Sequence, residues 1–549
     1  MISNLKRVTT LLLLLILTFY VQGKENPVAN PQAIVISGNM RFTVLTPEMI
    51  RMEWSDSKQF EDRASFIVVN RNLPVTKYTS ETRDGYLYIK TEKIELKYKI
   101  GSNPITEPIS SQNHKISFNL NGKPTYWYPG KKDPLNLKGT SRTLDHSKGD
   151  NMRRVMEDGL LSRSGWTLID ESKRNGDGSR SLLFENQGGD FDWVAQPKPG
   201  NTIDWYFMAY GHDYKKALLD YTKVSGKQPM PTLYSFGYWY SKYERYTEQD
   251  FKDIVNEIQQ HEIPIDVMVV DMDWHYAGSP KDGGRGGWTG WSWNKSLFPD
   301  PQEFIGWLHQ KNLKVTMNLH PADGVATHED NYEALAKDLG LPTDQTVKWN
   351  IENQKFYKAF FKNIMRPHEN IGVDFWWLDW QQWMLAPNVK DLGNTFWLNH
   401  VYYNDMKINR PDRRPFIFHR WGGLGNHRYP IGFSGDSWAT FPTLAFQVYY
   451  NSTASNVAYG YWSHDLGGHN QAGPNDPELY LRWIQFGVFS PMTRTHATNA
   501  PHIDRRIWKY PNFSLMRDAL KLRYSLIPYI YTYSRQAYDT GVSLCRPLY

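Results

Sequence analysis

The chain has 549 residues, 40% hydrophobic and 22% charged, which is enough apolar side chain to bury a large core and excludes wholesale disorder. At roughly 150 residues per domain this is about three or four domain equivalents. Lys and Arg number 63 against 57 Asp and Glu, and a formal charge of +6 over this length, without a basic run, leaves no electrostatic footprint for nucleic acid.

Aromatic residues reach 15%, with 22 Trp and 34 Tyr, whose flat apolar faces and polar tips suit sugar rings as well as large cores. The single cysteine, Cys545, excludes an intrachain disulfide framework and a Cys-based zinc site. Lys6 and Arg7 precede an apolar run at 11–21 and then Gln22-Gly23-Lys24. This is the pattern of a secretory signal (1–23) cleaved near Gly23, and the run is short for a membrane span. An exported protein, periplasmic or extracellular, is expected, with no stable membrane insertion after cleavage.

From 33 to 128 apolar residues alternate in short runs separated by Pro, Asn, Asp and Gly, as around Phe42, Ile50, Tyr86, Leu96 and Phe118. This spacing predicts an antiparallel β-sandwich. Residues 129–200 are rich in Gly, Asp, Lys and Ser and read as long loops with a few strands. A helix over 214–225 ends at Gly226. Beyond it, apolar strands at 234–240, 265–270, 314–319, 373–378, 415–418, 431–433, 457–461 and 486–489 alternate with helical stretches at 248–261, 301–311, 353–365, 394–409, 477–485 and 514–532. Eight such units predict a (β/α)8 barrel. No Gly-rich phosphate loop follows the first strand, which argues against an open doubly wound sheet.

In such a barrel the chemistry sits at the C-terminal strand ends. Asp271 and Asp273, His320, Asp379, His419 and Arg420, Asp436, His464 and Asp465, and Arg494 and His496 all follow predicted strands. One Asp after a strand is ordinarily a helix cap, but six or seven strands ending alike predict a polar pocket at one rim, walled by Trp274, Trp377, Trp380 and Trp421. Carboxylates and tryptophans without a metal motif suit glycoside hydrolysis, which needs one ionised and one protonated carboxyl across the scissile bond. No metal and no cofactor are expected. His419, His427 and His464 read as structural, as does Asp271 beside Asp273, and one of Trp376 and Trp377 must face the helices.

The chain resembles glycoside hydrolase family 31. The resemblance runs from Gly159–Trp166 and Tyr206–Gly211, through Gly237–Ser241, Asp271–Trp274 and Trp377–Trp380, to Arg420, Arg428, Gly435-Asp436, His464–Gly468 and Phe489–His496. It implies retaining exo-α-glycosidases with an N-terminal β-sandwich (galactose-mutarotase-like, 24–228) before the (β/α)8 barrel (229–540). Residues 541–549 would begin a C-terminal β domain that the chain stops short of, leaving an exposed apolar face. By the same resemblance Asp379 is the nucleophile and Asp436 the acid/base. Asp273 and His496 hold hydroxyls of the terminal sugar, Arg420 stands near the acid/base, Asp465 is a supporting carboxylate, and Trp377 and Trp380 line the sugar site.

Four features depart from the common pattern: Gln381-Gln382 after Trp380, Asn318-Leu319-His320-Pro321 in place of an Asp-Pro pair, His469 after Gly468 where Phe is usual, and a Gly-rich loop at 278–293. The implied substrate is an oligosaccharide or glycoconjugate with a terminal α-glucosyl unit. α-Galactoside, α-N-acetylgalactosaminide, α-xyloside and transglycosylation are alternatives, and a non-catalytic sugar-binding protein is a further one. The oligomeric state is not legible.

Overall fold

The computed structural model describes residues 25–549 apart from 108–109, 150–151, 154–155, 173–181, 197, 199, 201, 278–286, 381–384, 387, 390–391, 421 and 475. The signal segment, Gln381, Gln382, Trp421 and most of the Gly-rich loop therefore lie outside the described residues.

The N-terminal region is β-rich. Strands β1 (Ile34–Ser37), β2 (Met40–Thr46), β3 (Met49–Ser55), β4 (Ala64–Ser65), β5 (Thr79–Arg83), β6 (Tyr86–Lys90), β7 (Ile94–Lys99), β8 (His114–Leu120), β9 (Lys123–Trp127), β10 (Thr167–Asp170), β11 (Leu183–Glu185), β12 (Trp193–Ala195) and β13 (Thr202–Met208) form three antiparallel sheets. Their orders are β1-β2-β3-β13-β10, β5-β6-β7-β8-β9 and β12-β11-β4. Asp84-Gly85 and Asn121-Gly122 turn two hairpins with φ positive at both residues, the backbone that matches strand twist. Phe42, Ile50 and Met52 of one five-stranded sheet share a core with Leu87, Leu96 and Ile116 of the other, so period-two alternation here does report a sandwich.

A helix, Tyr214–Ser225, capped by Asp213 and ended by Gly226, leads to the second part. There β14 (Tyr238–Tyr240), β15 (Val267–Val270), β16 (Lys314–Leu319), β17 (Phe375–Leu378), β18 (Ile417–Arg420), β19 (Gly432–Phe433), β20 (Trp462–Ser463) and β21 (Thr493–Thr495) pair in parallel, in the order β20-β19-β18-β17-β16-β15-β14-β21. Backbone bonds from Met492 N–H to Trp462 O (3.2 Å) and from Leu466 N–H to Arg494 O (3.1 Å) bring the last two strands together and nearly close the barrel. Side chains alternate across it: Trp239, Val269, Phe375, Trp377, Phe418 and Phe433 fill the interior, while Tyr240, Met268, Met317, Trp376 and Leu378 pack against the helices. Trp376 is thus the helix-facing member of its pair. Among the described residues no helix is long and apolar enough to cross a membrane.

Two strand expectations are corrected. Residues 486–489 finish the helix Pro477–Phe489, and the eighth strand is Thr493–Thr495. The apolar run 479–489 fits helix and buried strand alike; Ser490-Pro491 ends it as a helix, with Phe489 left 67% exposed. Residues 455–457 form a 3-10 turn after the helix Phe441–Ala454, so the seventh strand begins later, at Trp462. Helices Tyr332–Leu339 and Phe441–Ala454 were not expected.

At the entrance to β14, a Cβ on Gly237 would collide with the Asp266 carboxylate and lie 2.8 Å from the Tyr524 hydroxyl, a pair that is itself hydrogen-bonded. Gly237→Ala is expected to destabilise the fold by about 1–3 kcal/mol through overpacking. Urea unfolding at pH 7 checks this, and an unchanged midpoint would show that the pair moves aside.

Candidate active site

Three adjacent strands carry the centre. Asp379 follows β17, Arg420 ends β18, and Asp436 follows β19 across Gly435 (φ 92°). Parallel pairing in this order sets the three side chains side by side at the C-terminal rim.

Arg420 is fully sequestered and binds three carboxylates with three nitrogens: Nε donates to Asp379 Oδ1, Nη2 to Asp436 Oδ1 at 2.6 Å, and Nη1 to Asp145 Oδ1 at 2.7 Å. Its guanidinium lies 4.4 Å from the Trp380 ring centroid and 4.6 Å from that of Phe433, a stacked, desolvated cation. A planar fork can orient several carboxylates where a point charge could not.

Asp379 also accepts from Asn318 Nδ2 at 2.9 Å and lies 3.7 Å from His320 Nε2. Burial works to raise its pKa. The Arg420 charge and the bonds from Arg420 and Asn318 work against burial, and its pKa is held below the usual carboxylate range. His320 is pushed down to about 4 by burial and stands neutral. Asp379 is therefore ionised at neutral pH.

Asp145 comes from the Gly/Asp-rich stretch of the N-terminal region. Leu144 N–H donates to Ser434 O (2.7 Å), His146 N–H to Asp436 O (2.9 Å), and the Asp436 N–H to Asp145 Oδ1 (2.5 Å). This loop is laced to the turn that bears Asp436. Nothing in the local pattern around 145 singles it out, because its partner is a barrel residue far along the chain.

The polar network continues below. Asp465 is completely buried, with Oδ1 bound by Arg494 and Oδ2 3.1 Å from His469 Nδ1. Burial opposes ionisation, but Arg494 and His496 hold its carboxyl far below the ordinary range. His496 Nδ1 pairs with Ser241 Oγ at 2.7 Å, and its Nε2 lies 3.8 Å from Asp271 Oδ2. Trp377 packs edge-on against His496, with ring centroids 5.3 Å apart, and floors the site.

Asp273 sits on the turn Met272–Trp274, half-buried, with Arg245 and Glu244 as its charged neighbours. Asp271 is the buried carboxyl beside Asp379 and His496. Burial and the Asp379 charge push it up to about 8, so it is protonated at pH 7 and able to donate a hydrogen bond. Trp274 is no pocket wall either: its indole donates to Asn318 O and its ring packs among Trp293 and His368 in the helix-side core. Half-exposed Trp288, 5.3 Å from His320, is the rim aromatic.

The histidines read as structural are so placed. His464 bonds Ser434 and Asn451, His419 bonds Tyr429 O, and His427 bonds Gly226 O.

Asp465, His469 and His496 bring one ligand-type atom each within 4.8 Å of one another. Arg494 already neutralises Asp465 and Ser241 takes His496 Nδ1, so the set is a hydrogen-bond network rather than a cation cage. Five buried polar atoms here find no hydrogen-bond partner among the described residues: Asn318 Oδ1, His320 Nδ1, Trp377 Nε1, Asp145 Oδ2 and Arg494 Nη1. A hydroxyl-rich ligand matches such a collection of donors and acceptors.

Comparison with known proteins agrees with this architecture. An α-xylosidase of Saccharolobus solfataricus is 26% identical over 373 residues, covering 64% of this chain and 49% of that one. Alpha-glucosidase 2 of Bacillus thermoamyloliquefaciens is 27% identical over 396 residues, covering 64% and 47%. The chain spans about half the length of these curated relatives. Among solved structures, a Flavobacterium johnsoniae dextranase complexed with glucose superposes with TM-score 0.70 at 19% identity over 92% of this chain and 68% of that one. An α-xylosidase from a soil metagenome, complexed with xylose, gives 0.66 at 18% over 94% and 86%. The glycosyl hydrolases family 31 TIM-barrel domain model matches residues 228–533, more than half of the chain, which therefore belongs to glycoside hydrolase family 31.

Proposed function

We propose that this chain is a retaining, exo-acting α-glycosidase with Asp379 as nucleophile and Asp436 as acid/base. The observation that carries the reading is the shared guanidinium: Arg420 binds Asp379 and Asp436 through different nitrogens, keeping one carboxylate ionised and setting the other beside it. A glycoside entering over Trp377 meets Asp379 from one side. Asp379 Oδ2 attacks the anomeric carbon while Asp436 gives its proton to the departing glycosidic oxygen. Water then attacks the same carbon, giving its proton to Asp436, and the Asp379–sugar bond breaks. Protonated Asp271 and neutral His496 are placed to hold ring hydroxyls, with Trp380 and Arg420 closing one wall. Asp465 supports the set through Arg494 and His469.

The sugar is a terminal α-glucosyl unit of an oligosaccharide or glycoconjugate. An α-xylosyl unit is the second reading, favoured by the α-xylosidases among the similar proteins. The basic-then-apolar N-terminal pattern supports export.

The test is release of 4-nitrophenol from α-glucoside, α-xyloside, α-galactoside and α-N-acetylgalactosaminide at matched concentrations. Turnover of one sugar at least tenfold above the others is expected. A folded protein silent on all four would leave a sugar-binding role in place of the hydrolase.

A further inference from the structure

His469 occupies the position where the resembled pattern has Phe, and the catalytic scheme above assigns it no step. It is also built in with care. Gly467 and Gly468 carry φ of 105° and 83° in the turn after β20, and a Cβ on Gly467 would lie 2.6 Å from the Arg505 guanidinium carbon, so the turn demands glycine there. The turn is stitched to the segment that bears the acid. His469 N–H donates to Ser437 O at 2.8 Å, Asn470 N–H to the same oxygen at 3.1 Å, Ala439 N–H to Asn470 O at 2.8 Å, and Asn470 Nδ2 to Asp436 O at 3.3 Å. Any displacement of one turn drags the other.

The imidazole spans two carboxylates. Nδ1 is 3.1 Å from Asp465 Oδ2 and Nε2 is 3.6 Å from Asp436 Oδ2. Asp465 is anchored on Arg494, so it fixes the ring and keeps the proton on Nδ1. On Asp436, Oδ1 is engaged by Arg420, so Oδ2 is the oxygen facing His469.

We propose that His469 is a positioning residue for Asp436, orienting its Oδ2 and donating a hydrogen bond from Nε2 to it once Asp436 has given up its proton. The inference rests on Asp436 being the acid/base. Proton balance is unchanged: the proton leaving Asp436 goes to the glycosidic oxygen, the attacking water restores it, and His469 keeps its own throughout. The charge that develops on Asp436 as the leaving group departs then meets a donor at the moment it appears.

The electrostatic setting agrees. Burial opposes a charged ring, but the bond to Asp465 and the charges of Asp436 and Asp465 raise the His469 pKa above the ordinary imidazole value, which favours the doubly protonated ring that donation from Nε2 requires. The other charged or titratable groups facing it are Arg420 on β18, Asp271 after β15, and His496 and Arg494 on or beside β21, with Arg505 beneath the glycine turn. Phe at this position would supply an apolar wall and no donor.

The test compares His469→Phe and His469→Gln with the wild type on two substrates of the sugar released fastest in the aryl panel. One is the 4-methoxyphenyl α-glycoside, whose leaving group needs a proton; the other is the α-glycosyl fluoride, whose leaving group needs far less help. In His469→Phe, kcat/KM for the methoxyphenyl glycoside should fall by roughly 10–100-fold while the fluoride falls by about threefold or less. His469→Gln, which keeps an N–H donor, should recover part of the loss. Melting temperatures of both variants accompany the kinetics. Equal losses on both substrates in folded His469→Phe, with no recovery in folded His469→Gln, would overturn the proposal and leave His469 as a pocket wall. A folded wild type inert on both substrates would instead overturn the glycosidase reading beneath it.

Discussion

Asp379→Asn is expected to cut kcat on aryl α-glycosides by on the order of 10⁴-fold or more, because the amide keeps the shape of the carboxylate but cannot form the glycosyl-enzyme. The matching positive observation is covalent. A 5-fluoroglycosyl fluoride of the preferred sugar should add one glycosyl mass to the peptide bearing Asp379 in the wild type, and none in the variant. Labelling of a peptide bearing Asp271 or Asp436 would move the nucleophile.

The same substitution has a stability signature whose sign follows from the site. Asp379 is held below its ordinary pKa in the folded protein, so its ionisation contributes stability above the unfolded carboxylate value of about 4 and loses it as pH falls through the folded value. The variant should be less stable than wild type at pH 7, and the gap should shrink below about pH 4.

Arg420→Met is expected to be the most damaging single change to the fold at this site. It leaves Asp379, Asp436 and Asp145 facing one another in a buried space without their shared cation. Removing one partner of a buried ionic cluster costs about 3–5 kcal/mol. Protonating the cluster relieves the repulsion among the carboxylates, so the deficit should be largest near neutral pH and smaller toward acid. Turnover should be lost as well, since Asp379 no longer stays ionised. Arg420→Lys keeps a charge but offers one point where three separate contacts are needed, and should recover stability only in part. Denaturant midpoints at pH 7 and pH 4.5 read both variants. A midpoint within about 0.5 kcal/mol of wild type for Arg420→Met, the range of an ordinary surface change, would mean the guanidinium serves the substrate and not the carboxylates.

The first six barrel strands were legible because their apolar runs are flanked by polar strand-end residues and by helical periods with clear caps, such as the Thr247 and Asp250 box before Glu248–Gln260. The last two were not, because the run 479–489 satisfies both periods and only the Ser490-Pro491 stop decides between them. That Asp379, Arg420 and Asp436 meet at one rim was legible from strand-end placement, while the roles assigned to them came from the resemblance alone. Asp271 was passed over because, of two aspartates two residues apart, the linear sequence does not say which one the turn Met272–Trp274 points inward; burial decides it. His469 stood out only as a departure from a pattern, and its role emerges from the two carboxylates it spans. Asp145 had no local signal at all.

That last residue has a consequence for how the molecule acquires its function. The bond between Asp145 and Arg420 closes a loop of 275 residues, and the one between Asp145 and the Asp436 amide a loop of 291. Contacts this remote in sequence are entropically slow to form and come late. The parallel strands can assemble from neighbours, yet the set of hydrogen bonds around Arg420 is complete only when the upstream β region has docked. Residues 228–533 alone, the portion that the family domain covers, would hold Asp379 and Asp436 and still lack one of the three carboxylates that Arg420 binds. Assembly of the full Arg420 cluster is thereby tied to completion of the whole tertiary structure, and a partly assembled chain leaves one guanidinium nitrogen of Arg420 without its carboxylate.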